Sequence, residues 1–141
     1  MNSSLDLLHL AARAAEAAGE YVRSAGRPPA WIAKAHNDWV TEVDRKAESL
    51  IRDILSRGAP GSRIVGEELS PTLVAEGLVW IVDPLDGTTN YLHGYPQYAV
   101  SIALARDGAL EAGVVLDVNR ECIYGAVQGR GAWLGNTPLR V

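Results

Sequence analysis

The sequence is nearly without cysteine, with Cys122 standing alone among 141 residues. A lone thiol excludes an internal disulfide and a cysteine-based zinc site, and it is expected to be a small buried hydrophobe. Long apolar runs are missing too. No segment approaches the roughly 20 apolar residues that a membrane-spanning helix needs. The opening MNSSLDLLHLAARAAEAAGEYV has neither the basic start nor the uninterrupted apolar stretch of a secretion signal. A soluble, cytoplasmic chain with no membrane partner is the expectation. There is no surplus of basic charge: 13 Lys and Arg stand against 17 Asp and Glu, a formal net charge of −4. The basic residues are scattered, so nothing draws a polyanion from a distance and no nucleic-acid partner is expected. Internal repeats and low-complexity tracts are also absent.

What is present is enough apolar material for a core. Hydrophobic residues make up 48% of the chain, and the length suits one domain of ordinary size. From Ser4 to Val22, Leu5, Leu8, Ala12, Ala15, Ala18 and Val22 recur at three- and four-residue steps, which predicts an amphipathic helix capped by Ser3 or Ser4. The SAGRPPA stretch ends it, because glycine and paired prolines cannot continue a helix. A second helix is predicted from about Thr41 to Ser56, with Val43, Ala47, Leu50, Ile51, Ile54 and Leu55 on one side. Thr41 stands as its N-cap, and Asp44 lies near the positive end of the helix dipole. RGAPGS closes that helix.

The remainder reads as strands with short turns: SRIVGEE, LVWIVDP, YAVSIALARDG, LEAGVVLDVNR, ECIYGAVQGRGAWLG and PLRV. Arg106-Asp107-Gly108 and Asn119-Arg120-Glu121 sit where antiparallel hairpins turn. Helices followed by hairpin-linked strands predict an α+β layered sandwich, two helices packed on one face of a mostly antiparallel sheet.

Carboxylates gather in three segments: Asp38 and Asp44 in DWVTEVD, Glu67 and Glu68 in VGEEL, and Asp83 and Asp86 in DPLDG. Taken singly, each has an ordinary explanation as a solvated turn or a helix-dipole partner. Together they suggest more. If the strands before Glu67 and Asp83 are neighbours, Glu67, Asp83 and Asp86 meet at one edge of the sheet, where their repulsion is costly without cations between them. An all-oxygen set selects a hard ion, Mg²⁺ or Mn²⁺, over zinc. DGTTN complements it. Gly87 permits a tight turn, and Thr88, Thr89 and Asn90 open a short helix whose N–H groups suit an anion, the natural one beside Mg²⁺ being a phosphate.

At this point the residues resemble a known family. WIVDPLDGTTNYLHGYPQYAVSIAL, with DWVTEVD and IVGEE upstream and GRGAWLGNTPLRV downstream, is similar to the inositol monophosphatase family of Mg²⁺-dependent, lithium-sensitive phosphatases. The likeness covers essentially the whole chain in the family's order. It implies that Glu67, Asp83 and the carbonyl of Leu85 hold one metal, that Asp83 and Asp86 hold a second, and that Glu67 approaches a third, weaker one. Thr88 and Asp44 match the pair that orients and activates the attacking water, which with Glu67 makes the implied catalytic set. Gly87 and Thr88 match the amides that bind phosphate. Lys34, Asp38, Thr41 and Glu68 match a supporting shell. Thr89-Asn90 resembles the inositol monophosphatase and related histidinol-phosphatase branches, so the implied substrate is a small polyol phosphate, myo-inositol 1-phosphate first and histidinol phosphate as the alternative.

Family members continue into a second domain through a Trp-Asp-x-Ala-Ala-Gly-like motif that completes the second metal site. No such motif occurs here, so residues 1–141 are expected to correspond to the family's N-terminal domain. Two functional classes follow: a Mg²⁺-dependent phosphatase site, working alone or completed by another chain, and a non-catalytic remnant or interaction module. A sheet face left uncovered predicts a homo-oligomer or a complementary chain. Tyr91, Tyr95 and Tyr98 are expected to pack the short helix, the tryptophans to be core or interface anchors, and His93 to be an exposed loop residue.

Overall fold

The computed structural model describes residues 2–26, 36–66 and 76–141, and for 36–39 and 41 the backbone alone. Three helices and seven strands follow in the order α1 (Ser4–Ala25), α2 (His36–Gly58), β1 (Arg63–Gly66), β2 (Leu78–Asp86), α3 (Thr88–His93), β3 (Ala99–Arg106), β4 (Ala109–Asp117), β5 (Cys122–Val127), β6 (Gly131–Leu134) and β7 (Thr137–Leu139). The expected α+β layering is what the chain adopts. The strands form one sheet in sequence order, β1 pairing parallel with β2 and every later neighbour antiparallel.

α1 begins with a reciprocal cap. The Ser3 hydroxyl accepts from the Asp6 amide and the Asp6 carboxylate accepts from the Ser3 amide, so Ser3 is the cap and Ser4 is helical. This holds the Asp6 carboxyl below its ordinary value, chiefly through the Ser3 hydroxyl. α2 corrects the sequence reading. It starts at His36, so Thr41 is interior rather than an N-cap, and Asp44 lies in the third turn, beyond the reach of the helix's N-terminal dipole. The apolar seam misled because it begins about two turns after the polar start of the helix. Its buried members, Val43, Ala47, Ile51 and Leu55, recur every four residues, while Leu50 is exposed.

Both long helices cover one face of the sheet. α1 packs on α2, β3, β4 and β5, and α2 packs on β2. The approach is close because alanine and glycine face inward: a Cβ on Gly19 would stand 2.4 Å from Leu116 Cδ2. The core they close contains Leu7, Ile51, Leu55, Ile102 and Leu104, all fully buried, each contributing about 1.5–3 kcal/mol by apolar transfer. Trp80 is fully buried as well, and its indole N–H donates to Ser62 Oγ at 3.0 Å. That satisfies the one polar atom of a side chain otherwise suited to the interior. Arg106 and Glu111 tie the β3–β4 hairpin, and Glu111 also accepts from Ser4 Oγ at 2.7 Å, fastening the hairpin to the start of α1.

The other face of the sheet is bare among the described residues. Val115 and Tyr124, on neighbouring strands, are 44% and 43% exposed there. They border a shallow groove of about 460 Å³ with Ser101, Ala103 and Ala126. Cys122 is half-buried instead of buried, because it opens β5 beside the Asn119–Glu121 turn, where its thiol donates to the Arg120 carbonyl.

Candidate functional site

β2 is an inner strand whose Val79, Trp80 and Val82 are buried. Its regular pairing with β3 fails at one place. Asp83 pairs with Ser101 and Asp86 with Ala99, so three steps on β2 match two on β3 and one residue is extra. Pro84 explains the position of this bulge: it has no N–H for the ladder and interrupts pairing. The Leu85 amide turns instead to the Asp83 carboxylate, Oδ1 accepting at 3.3 Å, and the Leu85 side chain is buried.

The bulge sets the geometry of the two aspartates. In a regular strand, residues three apart point to opposite faces. Here their partners Ser101 and Ala99 are two apart and share a face, so Asp83 and Asp86 return to one side of the sheet. Asp83 is half-buried and Asp86 exposed.

Beyond Asp86 the chain turns at Gly87, whose φ of 95° and ψ of 39° are left-handed. The turn lies directly on other backbone, since a Cβ there would stand 3.1 Å from the Gln97 carbonyl oxygen and 3.3 Å from Tyr98 Cα. α3 then starts at Thr88 with no side-chain cap, its first internal bond running from the Tyr91 amide to the Gly87 carbonyl at 3.0 Å. Tyr91 is buried, meets Tyr98 edge-to-face with centroids 5.2 Å apart, and donates its hydroxyl to the Gly26 carbonyl at 2.6 Å. Tyr95 does not join this packing and is exposed, as is His93, which closes α3. Asp86 and Gly87 border a cleft of about 390 Å³ on the face away from α1 and α2, shared with Asn90, Tyr98, Asp117 and Tyr124.

Of the residues singled out in the sequence, Asp83, Leu85, Asp86, Gly87 and Thr88 are brought together at the β2–α3 junction. Asp44 comes from α2, which packs against β2 and touches α3. Lys34, Glu67 and Glu68 lie outside the described residues, as do the side chains of Asp38 and Thr41. The condition set for Glu67 is met on the backbone. β1 and β2 are adjacent and parallel, and Gly66, just before Glu67, pairs with Val82, just before Asp83. Among the described residues no three His, Cys, Asp or Glu side chains form a metal-holding group. Sequence reasoning missed Gln97, Asp117 and Tyr124 as neighbours of the junction. Only the glycine and proline of HGYP hinted that the chain doubles back there.

Helices on one face of a mostly antiparallel sheet, with β2 running through a bulge and a glycine turn into a short helix, define an α+β layered domain. The chain belongs to the inositol monophosphatase family, whose pattern it matches over residues 5–141. It is 42% identical over 138 residues to the putative Nus factor SuhB of Neisseria meningitidis serogroup A, covering 95% of this chain and 53% of that protein. It is 44% identical over 109 residues to the inositol-1-monophosphatase of Rhizobium meliloti, covering 77% of this chain and 41% of the relative. The crystal structure of extragenic suppressor protein suhB from Bartonella henselae superposes with a TM-score of 0.81 at 35% identity, over 96% of this chain and 53% of that one. The chain thus spans about half the length of the curated relatives it matches. No helix among the described residues is long and apolar enough to cross a membrane.

Proposed function

We propose that the chain carries the metal- and phosphate-binding half of a Mg²⁺-dependent phosphate monoester hydrolase. The substrate is myo-inositol 1-phosphate or a similar small polyol phosphate, with histidinol phosphate the alternative. The observation that carries this reading is the Pro84 bulge, which returns Asp83 and Asp86 to one face beside the Gly87 turn. An oxygen-only donor set of this kind fits a hard cation. Glu67, Asp83, the Leu85 carbonyl and Asp86 would hold the metal, which supplies positive charge to the phosphate oxygens and lowers the pKa of water. Lithium sensitivity goes with that site.

The chain's own groups do the rest in this reading. The Gly87 and Thr88 amides donate to phosphate oxygens, fixing the phosphorus at the mouth of the turn. Thr88 and Asp44 orient a water in line with the ester bond, and Asp44 takes its proton. A new P–O bond forms as the ester P–O bond breaks, and the departing polyol oxygen takes up a proton. Lys34, Asp38, Thr41 and Glu68 support these groups. The test is Mg²⁺-dependent phosphate release from myo-inositol 1-phosphate by the purified chain beside Asp83→Asn. Release that disappears in the variant supports the reading, whereas a folded, Mg²⁺-exposed chain that releases none refutes independent catalysis.

A second reading, an interaction module without catalysis, is favoured by the relatives named Nus factor SuhB and by the apolar sheet face that no described residue covers. Such a face favours a homo-oligomer or a complementary chain. Light scattering at high concentration tests the first, and a clean monomer counts against it.

A further inference from the structure

We propose that Asn90 is a positioning residue: by holding the carbonyl of Gln97 it fixes the Gly87–Thr88 turn. The inference rests on reading that turn as the phosphate-binding element. Asn90 Nδ2 donates to the Gln97 carbonyl oxygen at 2.8 Å, while the Asn90 main-chain carbonyl accepts from the Tyr95 amide at 2.8 Å. Both ends of one residue therefore close the segment that doubles back after α3. The oxygen so held is the nearest atom to a Cβ placed on Gly87, at 3.1 Å. The Gly87 turn rests on that carbonyl, and wherever the carbonyl goes the turn must follow or lose its packing.

The residue type suits the task. An asparagine amide supplies the N–H that a carbonyl requires, and its short side chain spans the gap between α3 and Gln97. An aspartate of the same shape would set an anion against the carbonyl oxygen. The Tyr91–Tyr98 ring contact secures the next residue of the returning segment from the buried side, so Asn90 governs the side facing the cleft.

The experiment compares Asn90→Ala and Asn90→Asp with Ser62→Ala, a control that loses the Trp80 hydrogen bond away from the β2–α3 junction. Two quantities are measured on the full chain: exchange of the Tyr91 amide, which is bonded to the Gly87 carbonyl, and affinity for inorganic phosphate in saturating Mg²⁺ by calorimetry. Both Asn90 variants should speed Tyr91 exchange and weaken phosphate binding by about fivefold or more, the worth of one net hydrogen bond. Ser62→Ala should lower the melting temperature while moving neither quantity. Tyr91 exchange within twofold of wild type in both Asn90 variants overturns the proposal, as does unchanged phosphate affinity in variants whose exchange has risen. If wild type binds no phosphate while Tyr91 exchange still responds, the phosphate reading fails and the hold of Asn90 on the turn stands.

Discussion

Replacing Gly87 by alanine separates two costs that the structure places on one residue. The first is conformational: a φ of 95° is foreign to an L side chain and costs about 1–2 kcal/mol, reduced by several tenths through the smaller freedom of the unfolded chain. The second is contact, because the new Cβ meets the Gln97 carbonyl at 3.1 Å and Tyr98 Cα at 3.3 Å. Both are backbone atoms that cannot swing aside, and relieving such overpacking costs about 1–3 kcal/mol. Gly129 is the internal control: its φ of 73° is also left-handed, but nothing lies within 4 Å of a Cβ there. We expect Gly129→Ala to cost about 1 kcal/mol and Gly87→Ala about 2–4 kcal/mol. Urea unfolding followed by tryptophan fluorescence reads the difference as a shift in midpoint at constant slope. Equal costs for the two substitutions would refute the claim that the Gln97–Tyr98 backbone supports the turn.

Other perturbations probe parts of the molecule away from the site. Ser62→Ala leaves the indole N–H of fully buried Trp80 without its acceptor, and a loss of about 1–3 kcal/mol is expected in the same urea experiment. The Arg106 hydrogen bond, with help from Ser4, holds the Glu111 carboxyl below its ordinary value of 4.5. A depressed carboxyl stabilises the fold above the unfolded-state value and loses that contribution as pH falls through the folded one. The stability gap between wild type and Glu111→Gln should therefore close on acidification below 4.5, and a gap independent of pH counts against the Arg106–Glu111 linkage.

Much of this architecture could be read from the chain because the relevant signals are local. The hairpin turns at Asp107-Gly108 and Asn119–Glu121 are where the sequence puts them, with Asp107 and Glu121 both at positive φ. The start of α2 was hidden because a helix end is marked by capping chemistry, and HND looks no more like a beginning than Thr41 does. At the site, the aspartates and the glycine turn were legible as residue types. Their meeting at one edge was expected, but the bulge that returns them to one face was not, since it shows only when β2 and β3 are in register. The Asn90–Gln97 contact was invisible for the same reason: it links residues seven apart through a reversal that no periodicity encodes.

The parallel pairing of β1 with β2 has a kinetic side. From β3 onward consecutive strands are joined by turns of two to four residues, and β3 to β7 can zip by successive short-range closures. Bringing β1 alongside β2 instead requires the 11 residues between Gly66 and Leu78 to cross over before any bond of that ladder forms. Amides of β1 are thus expected to gain protection after those of β3–β5 in pulse-labelled refolding, and simultaneous protection would contradict this order. The edge where Gly66 meets Val82 would then be among the last parts of the molecule to exist, and the cation site proposed there would form late in refolding.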